Sequence, residues 1–130
     1  MKPAATQLSY LRLYTDSSGV SHFAEEKFDL RASSTGTGEA SLAALRLEGV
    51  QSASFVALKT GALEDWHNAP RRQFIIGLRG EATVTAGDGQ VRRVTPGTIV
   101  LVEDTTGKGH ITKSTGTEDH VALVVPFPDR

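Results

Sequence analysis

The chain has 130 residues, a length typical of one domain, so we expect a single compact core over residues 1–130. Its 14 Lys and Arg nearly balance its 15 Asp and Glu, and this balance argues against a nucleic-acid-binding surface. Cysteine is absent, which excludes disulfides, thiolate metal sites and thiol nucleophiles. We find neither an apolar run long enough to span a membrane nor a signal-peptide core near the start, so we expect a cytoplasmic protein with no membrane partner.

The first 30 residues predict a β-hairpin. Residues 10–14 and 20–28 have strand-like composition, and residues 16–19 between them are rich in turn formers. Residues 31–39 consist largely of Ala, Ser, Thr and Gly and predict a connecting loop. Residues 41–47 fit a short helix and a strand equally well.

After Gly49 the sequence alternates short strand-like runs with turns. Residues 61–65 and 105–109 have turn or loop composition, and Asp88-Gly89 is the strongest hairpin signal in the chain. The predicted strands cover residues 52–59, 73–78, 80–84, 91–94, 99–102 and 121–125. Because no convincing amphipathic helix accompanies them, the chain is predicted to be all-β, with an antiparallel barrel or jelly-roll architecture.

Two of the predicted strands are apolar on both faces. These are residues 74–78 and 99–102, whereas an antiparallel sheet with one face in water should alternate apolar and polar side chains. The outer face therefore needs a cover. Either the N-terminal hairpin of the same chain or the hairpin of a second copy could supply it, and from this we expect a homodimer.

Two of the four histidines lie where strands meet loops. His67 precedes the run at 73–78 and His110 follows the run at 99–102, positions that present side chains to a ligand at one end of a barrel. His22 and His120 have no converging polar neighbours in the sequence, so we assign both to structural or surface positions.

The spacing around these histidines resembles the cupin superfamily. The first motif of that family reads Gly, five residues, His-x-His, three or four residues, Glu, six residues, Gly. The matching positions here are Gly61, His67, Ala69, Gln73 and Gly80. The frame is kept, but alanine replaces the second histidine and glutamine replaces the carboxylate.

The second cupin motif is also partly present. Gly107 and His110 match it, Thr105 takes its proline position and Ser114 its asparagine position. Gly97 is the counterpart of its opening glycine, with a spacer two residues longer. The resemblance implies a cupin-like antiparallel β-barrel, also called a double-stranded β-helix or jelly roll, with the motifs in residues 50–126. It also implies that the hairpin in residues 1–30 packs on this barrel or on a dimer partner.

The resemblance implies a metal site only in reduced form. The family binds iron, manganese, nickel or zinc with three His and one Glu, and the residues carried over are His67, Gln73 and His110. Two imidazoles and an amide leave the charge of a divalent ion uncompensated, so we expect no cofactor. His67 and His110 fit equally well a pair of pocket histidines that bond Gln73 or water and a pair that orients a ligand.

Further candidate residues lie beside the first motif. Residues 67, 69, 71 and 73 share one face of an extended segment, so Arg71 could enter the cavity as a receptor for a carboxylate or phosphate. Alternatively, Arg71 and Arg72 are both exposed and pair with Glu64 or Asp65. Trp66 could form an apolar lip of the cavity or belong to the core.

The loop at residues 103–110 combines acidic, hydroxyl, lysine and histidine side chains, which makes it the best loop candidate for function. Lys108 is a candidate ligand-binding residue there. Asp104 could hold His110 in one tautomer and so make a general base, although a capping or turn role for Asp104 is equally consistent with the sequence.

Three functions remain open at this stage. The first is a cupin-like protein that binds a small polar or anionic organic molecule through His67, Gln73, Arg71, Trp66 and Lys108, with His110 and Asp104 as catalytic candidates if it is an enzyme. The second is a divalent-metal enzyme of oxygenase or isomerase type that uses His67, Gln73 and His110. The third is an interaction domain with a filled, inert interior.

Overall fold

The computed structural model describes residues 6–32, 43–126 and 128 of the chain. This part of the chain is all-β, as predicted, and contains no helix that could cross a membrane. Its eleven strands are β1 Thr6–Thr15, β2 Ser21–Ala32, β3 Ala43–Ala44, β4 Ser54–Leu58, β5 Leu63–His67, β6 Gln73–Arg79, β7 Ala82–Thr85, β8 Val91–Val94, β9 Ile99–Val102, β10 His110–Ser114 and β11 His120–Pro126.

The strands form two sheets. The larger has the order β3-β2-β1-β9-β6-β11-β4, and the smaller has the order β5-β10-β7-β8. All pairings within them are antiparallel except that between β1 and β9, which is parallel. Apolar side chains of both sheets form one buried cluster with Val84 and Val94 from the smaller sheet and Leu13, Val100 and Val102 from the larger. The core therefore lies between the two sheets.

The N-terminal hairpin is longer than predicted and belongs to the larger sheet. β1 and β2 pair over their whole length, from Thr6 opposite Leu30 to Thr15 opposite Ser21. The turn between them is closed by Asp16, whose carboxylate accepts hydrogen bonds from the backbone N–H groups of Ser18 and Val20. Such a local bond is the reason that aspartate favours turns.

The same hairpin covers the outer apolar face of the neighbouring strands. Tyr10 stacks on Phe28 with ring centroids 4.1 Å apart, and both rings meet Phe74 of β6. Leu101 belongs to the same cluster. The outer apolar face is thus covered by the N-terminal hairpin of the same chain, one of the two alternatives expected from the sequence. The homodimer stays a prediction, but the need to cover this apolar face is no longer an argument for it.

Three local predictions were wrong. Residues 61–65 were read as a turn, yet β5 begins at Leu63, and the strand β10 was not predicted at all. These two strands pair with each other, and their polar sequences carry little strand signal outside that pairing. Arg31 and Ala32 extend β2 and pair with β3, so the predicted loop begins later, and residues 33–42 lie outside the described part of the chain.

Candidate functional site

A cavity of about 250 Å³ lies between the two sheets. Most of its wall is aliphatic, with side chains that include Val56, Ile75, Val84, Val100 and Val124. The polar residues that line it are Glu64, His67, Gln73, His110, Thr112 and His120. A mainly apolar cavity with a few polar groups is the usual form of a small-molecule site, and this volume is slightly below the ~300–1,000 Å³ typical of such sites.

His110 and Asp104 form a buried pair at this cavity. His110 is the first residue of β10 and is only 4% exposed, while Asp104 in the preceding loop is completely buried. Nδ1 of His110 lies 2.5 Å from Oδ2 of Asp104. Because an ionised carboxylate can only accept, Nδ1 donates in this bond, and a neutral ring with its proton on Nδ1 has its lone pair on Nε2. Nε2, on the opposite side of the ring, is the atom left for the cavity.

His67 is oriented in a similar way. Nδ1 of His67 lies 2.7 Å from the backbone oxygen of Asp65, which can only accept a hydrogen bond. The neutral His67 ring therefore also keeps its lone pair on Nε2. His67 pairs with His110 across β5 and β10, and their ring centroids are 4.4 Å apart. The two histidines thus offer adjacent hydrogen-bond acceptors to a ligand.

Gly109 allows this close approach. Its φ is +78°, a left-handed conformation that residues with a Cβ rarely adopt. A Cβ at this position would also overlap the backbone oxygen of His67. The glycine therefore permits the loop before β10 to pack directly on the end of β5.

Hydrogen bonds from the N-terminal hairpin also fix the loop before β10. Ser21 is fully buried, and its hydroxyl donates to the backbone oxygen of Gly109 at 2.8 Å while accepting from the N–H of Gly87 at 2.7 Å. The N–H of Lys108 donates to the backbone oxygen of Gly19 at 2.9 Å. These bonds fix the backbone on which His110 sits.

Glu103 anchors the other end of the loop. Its carboxylate accepts from Nε of Arg12 at 2.6 Å and from Nε of Arg72 at 2.5 Å. Burial acts to raise the pKa of Glu103, but the hydrogen bonds and charges of the two arginines outweigh it and hold that pKa below its usual value. Arg72 was considered as a partner of Glu64 or Asp65, and the structure gives it Glu103 instead. Asp104 therefore follows a residue whose side chain is fixed by two arginines.

Glu64 enters the cavity because of an irregularity in β5. Thr112 lies opposite Glu64, and His110 lies opposite His67, so three steps along β5 match two steps along β10. This one-residue bulge changes the alternation of side chains and turns both Glu64 and His67 toward the cavity. In the sequence, Glu64 fell in a predicted turn and was considered only as a partner of Arg71 or Arg72.

His120 is a second residue that the sequence did not identify. It is 6% exposed, lines the cavity from the start of β11, and its Nδ1 has no hydrogen-bond partner. Burial lowers the pKa of His120, although the backbone of Gly80 and Arg79 acts in the opposite direction. Because β11 was expected to begin one residue later, nothing in the sequence pattern assigned His120 an inward position.

The structure brings together some of the predicted site residues and separates others. His67, Gln73 and His110 line one cavity, with Gln73 at the start of β6. Arg71 does not line it and instead borders a groove formed by Gly49, Gln51, Ser52, Pro70, Pro126 and Pro128. Of the two positions considered for Arg71, the one inside the cavity is not adopted, because residues 68–72 are not part of a strand and the alternation from His67 is lost there.

Trp66 and Lys108 also lie outside the cavity lining. The ammonium nitrogen of Lys108 is 4.2 Å from the centre of the Trp66 ring, which is 40% exposed. This is the geometry of a cation–π contact. Trp66 and Lys108, which were predicted to bind a ligand, therefore contact each other at the surface.

The donor atoms at the cavity are a poor fit to a divalent metal. Among the residues that the structure describes, no group of three or more His, Asp or Glu could hold an ion. Ala69 is buried at the position of the missing histidine, and the amide of Gln73 brings no charge. The carboxylate of Asp104 is already engaged by Nδ1 of His110. We therefore derive no chemistry through a metal.

The described part of the chain is a two-sheet, all-β domain, and the motif residues His67, Gln73 and His110 border its cavity. The family model of the cupin domain matches residues 54–126. This chain belongs to the cupin family, as its motif spacing predicted.

The solved structures that are similar to the chain include the following two. One is a conserved protein of unknown function from Streptococcus pyogenes, with 22% sequence identity, a TM-score of 0.45, and a match that covers 60% of this chain and 65% of that one. The other is a cupin 2 conserved barrel domain protein from Leptotrichia buccalis, with 14% identity, a TM-score of 0.48, and coverage of 96% and 79%. No curated protein matches the sequence. Both TM-scores are below 0.5, so the assignment rests on the family model.

Proposed function

We propose that this protein binds a small organic molecule in the cavity between its sheets, within a cupin-type jelly-roll barrel. The observation that carries the proposal is the buried Asp104–His110 pair at the wall of an otherwise aliphatic cavity. A buried carboxylate bonded to an imidazole on a wall of valines is costly for a core that only has to be stable, because apolar side chains of similar size would serve as well or better. We infer that the pair is kept to act on a ligand.

The cavity supports a ligand with an apolar body and a hydrogen-bond donor at one end. The donor would lie against Nε2 of His110 and of His67, which the neutral rings present as acceptors. The amide of Gln73 can accept or donate at the same end. The anionic ligand considered from the sequence depended on Arg71, and that side chain lies outside this cavity.

The same geometry supports acid–base chemistry in addition to binding. His110 would be the catalytic residue, taking an acidic proton from the ligand at Nε2 and returning it elsewhere, as in an isomerase or lyase. Asp104 would be the positioning residue, since it touches His110 and stabilises the imidazolium that forms. Neither role needs a metal. A metal-free protein, and its cytoplasmic location, stay predictions.

Binding can be tested with short-chain alcohols, amines, amides and carboxylic acids, by thermal unfolding and titration calorimetry. A ligand at about 100 times its dissociation constant stabilises the fold by about 2.7 kcal/mol. Val84→Phe fills the cavity, while Val91→Phe adds the same ring at an exposed position of β8 outside the lining. We expect binding to survive in Val91→Phe and to be lost in a folded Val84→Phe variant.

The outcome also separates the three functions that the sequence left open. If no compound in the panel stabilises the wild-type protein, the inert interior is favoured and our proposal fails. The proposal also fails if a ligand binds folded Val84→Phe as tightly as wild type. Metal content of protein purified without a histidine tag tests the metal-dependent alternative, which requires a stoichiometric ion whose removal lowers thermal stability.

A further inference from the structure

We propose that the cavity selects ligands that carry a positively charged amino group, with the carboxylate of Glu64 as the counter-ion. This inference rests on the proposed binding function and adds to it the charge of the ligand. Three observations support it: the inward position of Glu64, the absence of cations from the described cavity wall, and the acceptor atoms beside it.

The inward position of Glu64 is a consequence of the backbone. Without the bulge in β5, Glu64 and His67 would point to opposite faces of the strand, and only one of them could reach the cavity. Bulges often occur next to functional sites, where they redirect a side chain. Glu64 also remains accessible to a ligand, because β5 is an edge strand of the smaller sheet and its residues there are exposed.

The described wall of the cavity contains no lysine or arginine. Glu64 forms no ion pair with any residue of the described chain. Of the two cations that the sequence offered as ligand-binding residues, Arg71 borders a different groove and Lys108 contacts Trp66. The carboxylate therefore makes the cavity negative. Because Glu64 is itself exposed, its attraction for a cation is that of a solvated charge beside an apolar wall, and added salt should weaken it.

The remaining polar atoms fit the same ligand. An ammonium group only donates hydrogen bonds, and the neutral rings of His67 and His110 offer lone pairs on Nε2. A carboxylate ligand would instead meet the negative charge of Glu64 and two acceptors. The aliphatic side chains on the facing strands leave room for the carbon skeleton of an amine.

The test uses n-butylamine, n-butanol and butyrate, which share one carbon skeleton. Binding of each is measured by calorimetry to the wild-type protein, to Glu64→Gln and to Glu25→Gln, an equally conservative change at an exposed residue of β2 outside the cavity. We expect wild type to prefer the amine over the alcohol, and the alcohol over the acid. Glu64→Gln should weaken amine binding about tenfold or more, leave alcohol binding within about threefold, and Glu25→Gln should change neither.

The possible failures are distinguishable. If the alcohol or the acid binds as well as the amine, or if Glu64→Gln leaves the amine preference unchanged, the selection by charge is wrong while ligand binding in the cavity stands. If none of the three compounds binds and none of the broader panel does, the proposed function itself is wrong. Circular dichroism establishes whether Glu64→Gln is folded. We expect it to be, because Glu64 is an exposed residue of an edge strand.

Discussion

Oδ2 of Asp104 lies 2.5 Å from Nδ1 of His110, and both side chains are buried, with His110 in the cavity wall and Asp104 behind it. The other oxygen of Asp104 is buried without a partner. The carboxylate therefore has one strong interaction, and the orientation of the His110 ring depends on it. Changes at either residue should affect stability and ligand binding together.

Replacing Asp104 by asparagine should be strongly destabilising. The amide keeps the shape but loses the charge, and its NH₂ group favours the tautomer of His110 with the proton on Nε2. We expect a loss of roughly 2–4 kcal/mol in the free energy of unfolding, measured with urea, together with loss of ligand binding. The exposed Asp65→Asn change is the control, with an expected effect within about 0.5 kcal/mol. Equal stability of the two variants would show that the buried pair contributes nothing specific.

Gly109→Ala should be much more costly than Gly61→Ala. Both glycines have a φ of +78°, so both variants suffer the same backbone strain of about 1–2 kcal/mol. A Cβ at 61 meets no other atom within 4 Å, while one at 109 overlaps the backbone oxygen of His67. Urea denaturation of the two variants should therefore differ by at least ~2 kcal/mol. Similar values would mean that the loop before β10 can move away from β5 at little cost.

His22 should make stability fall at alkaline pH. Its Nε2 is 2.6 Å from Asp16 and its Nδ1 is 2.8 Å from Asp88, and these bonds raise the pKa of His22 above its usual 6.5. A raised pKa in the folded state means that the stabilisation is complete below pH 6.5 and is lost as the pH rises through the raised value. The pKa values of both aspartates are lowered, so they stay charged over this window.

The measurement for His22 is the melting temperature of wild type and of His22→Gln, followed from about pH 6 to about pH 9. The difference between the two proteins should be largest at the acid end and shrink as the pH rises, because the bridge from the β1–β2 turn to the β7–β8 turn loses its charge. Arg92, which acts on Asp88, does not titrate in this range. A difference that is constant with pH would contradict the prediction.

His120 should have the opposite effect at acidic pH. Burial lowers its pKa below 6.5, so the unfolded chain takes up a proton at a pH where the folded chain does not. The cost to stability is absent well above pH 6.5 and grows as the pH falls toward the lowered value. His120→Gln removes this proton uptake. Relative to that variant, wild type should lose melting temperature on acidification from about pH 7 to about pH 5, and parallel curves would rule the effect out.

The strand-rich second half of the chain could be predicted because its signals are local. The turn at Asp88-Gly89 and the apolar run Ile99–Val102 each indicate their structure within a few residues, and β8 and β9 appear where these signals place them. The strands β5 and β10 were missed for the complementary reason. Their sequences are polar, and they are strands because of their neighbours: β10 pairs with both β5 and β7, and β5 pairs with β10.

The candidate site could be predicted in part. His67, Gln73 and His110 were found by their spacing, since the glycines around them constrain the turns between strands. The cavity position considered for Arg71 assumed regular alternation, whereas the chain leaves the strand at residues 68–72. Glu64 was assigned to a turn, whereas it lies in β5 beside a bulge.

The sequence alone determined the all-β class, the cupin frame and the three motif residues that border the cavity, because periodicity, turn chemistry and spacing are encoded over short distances. Only the tertiary structure decided which charges face the cavity. It placed Glu64 and His120 inside, left Arg71 outside, and buried Asp104 against His110. Burial and side-chain direction depend on how two sheets meet, and residues far apart in the chain set that geometry.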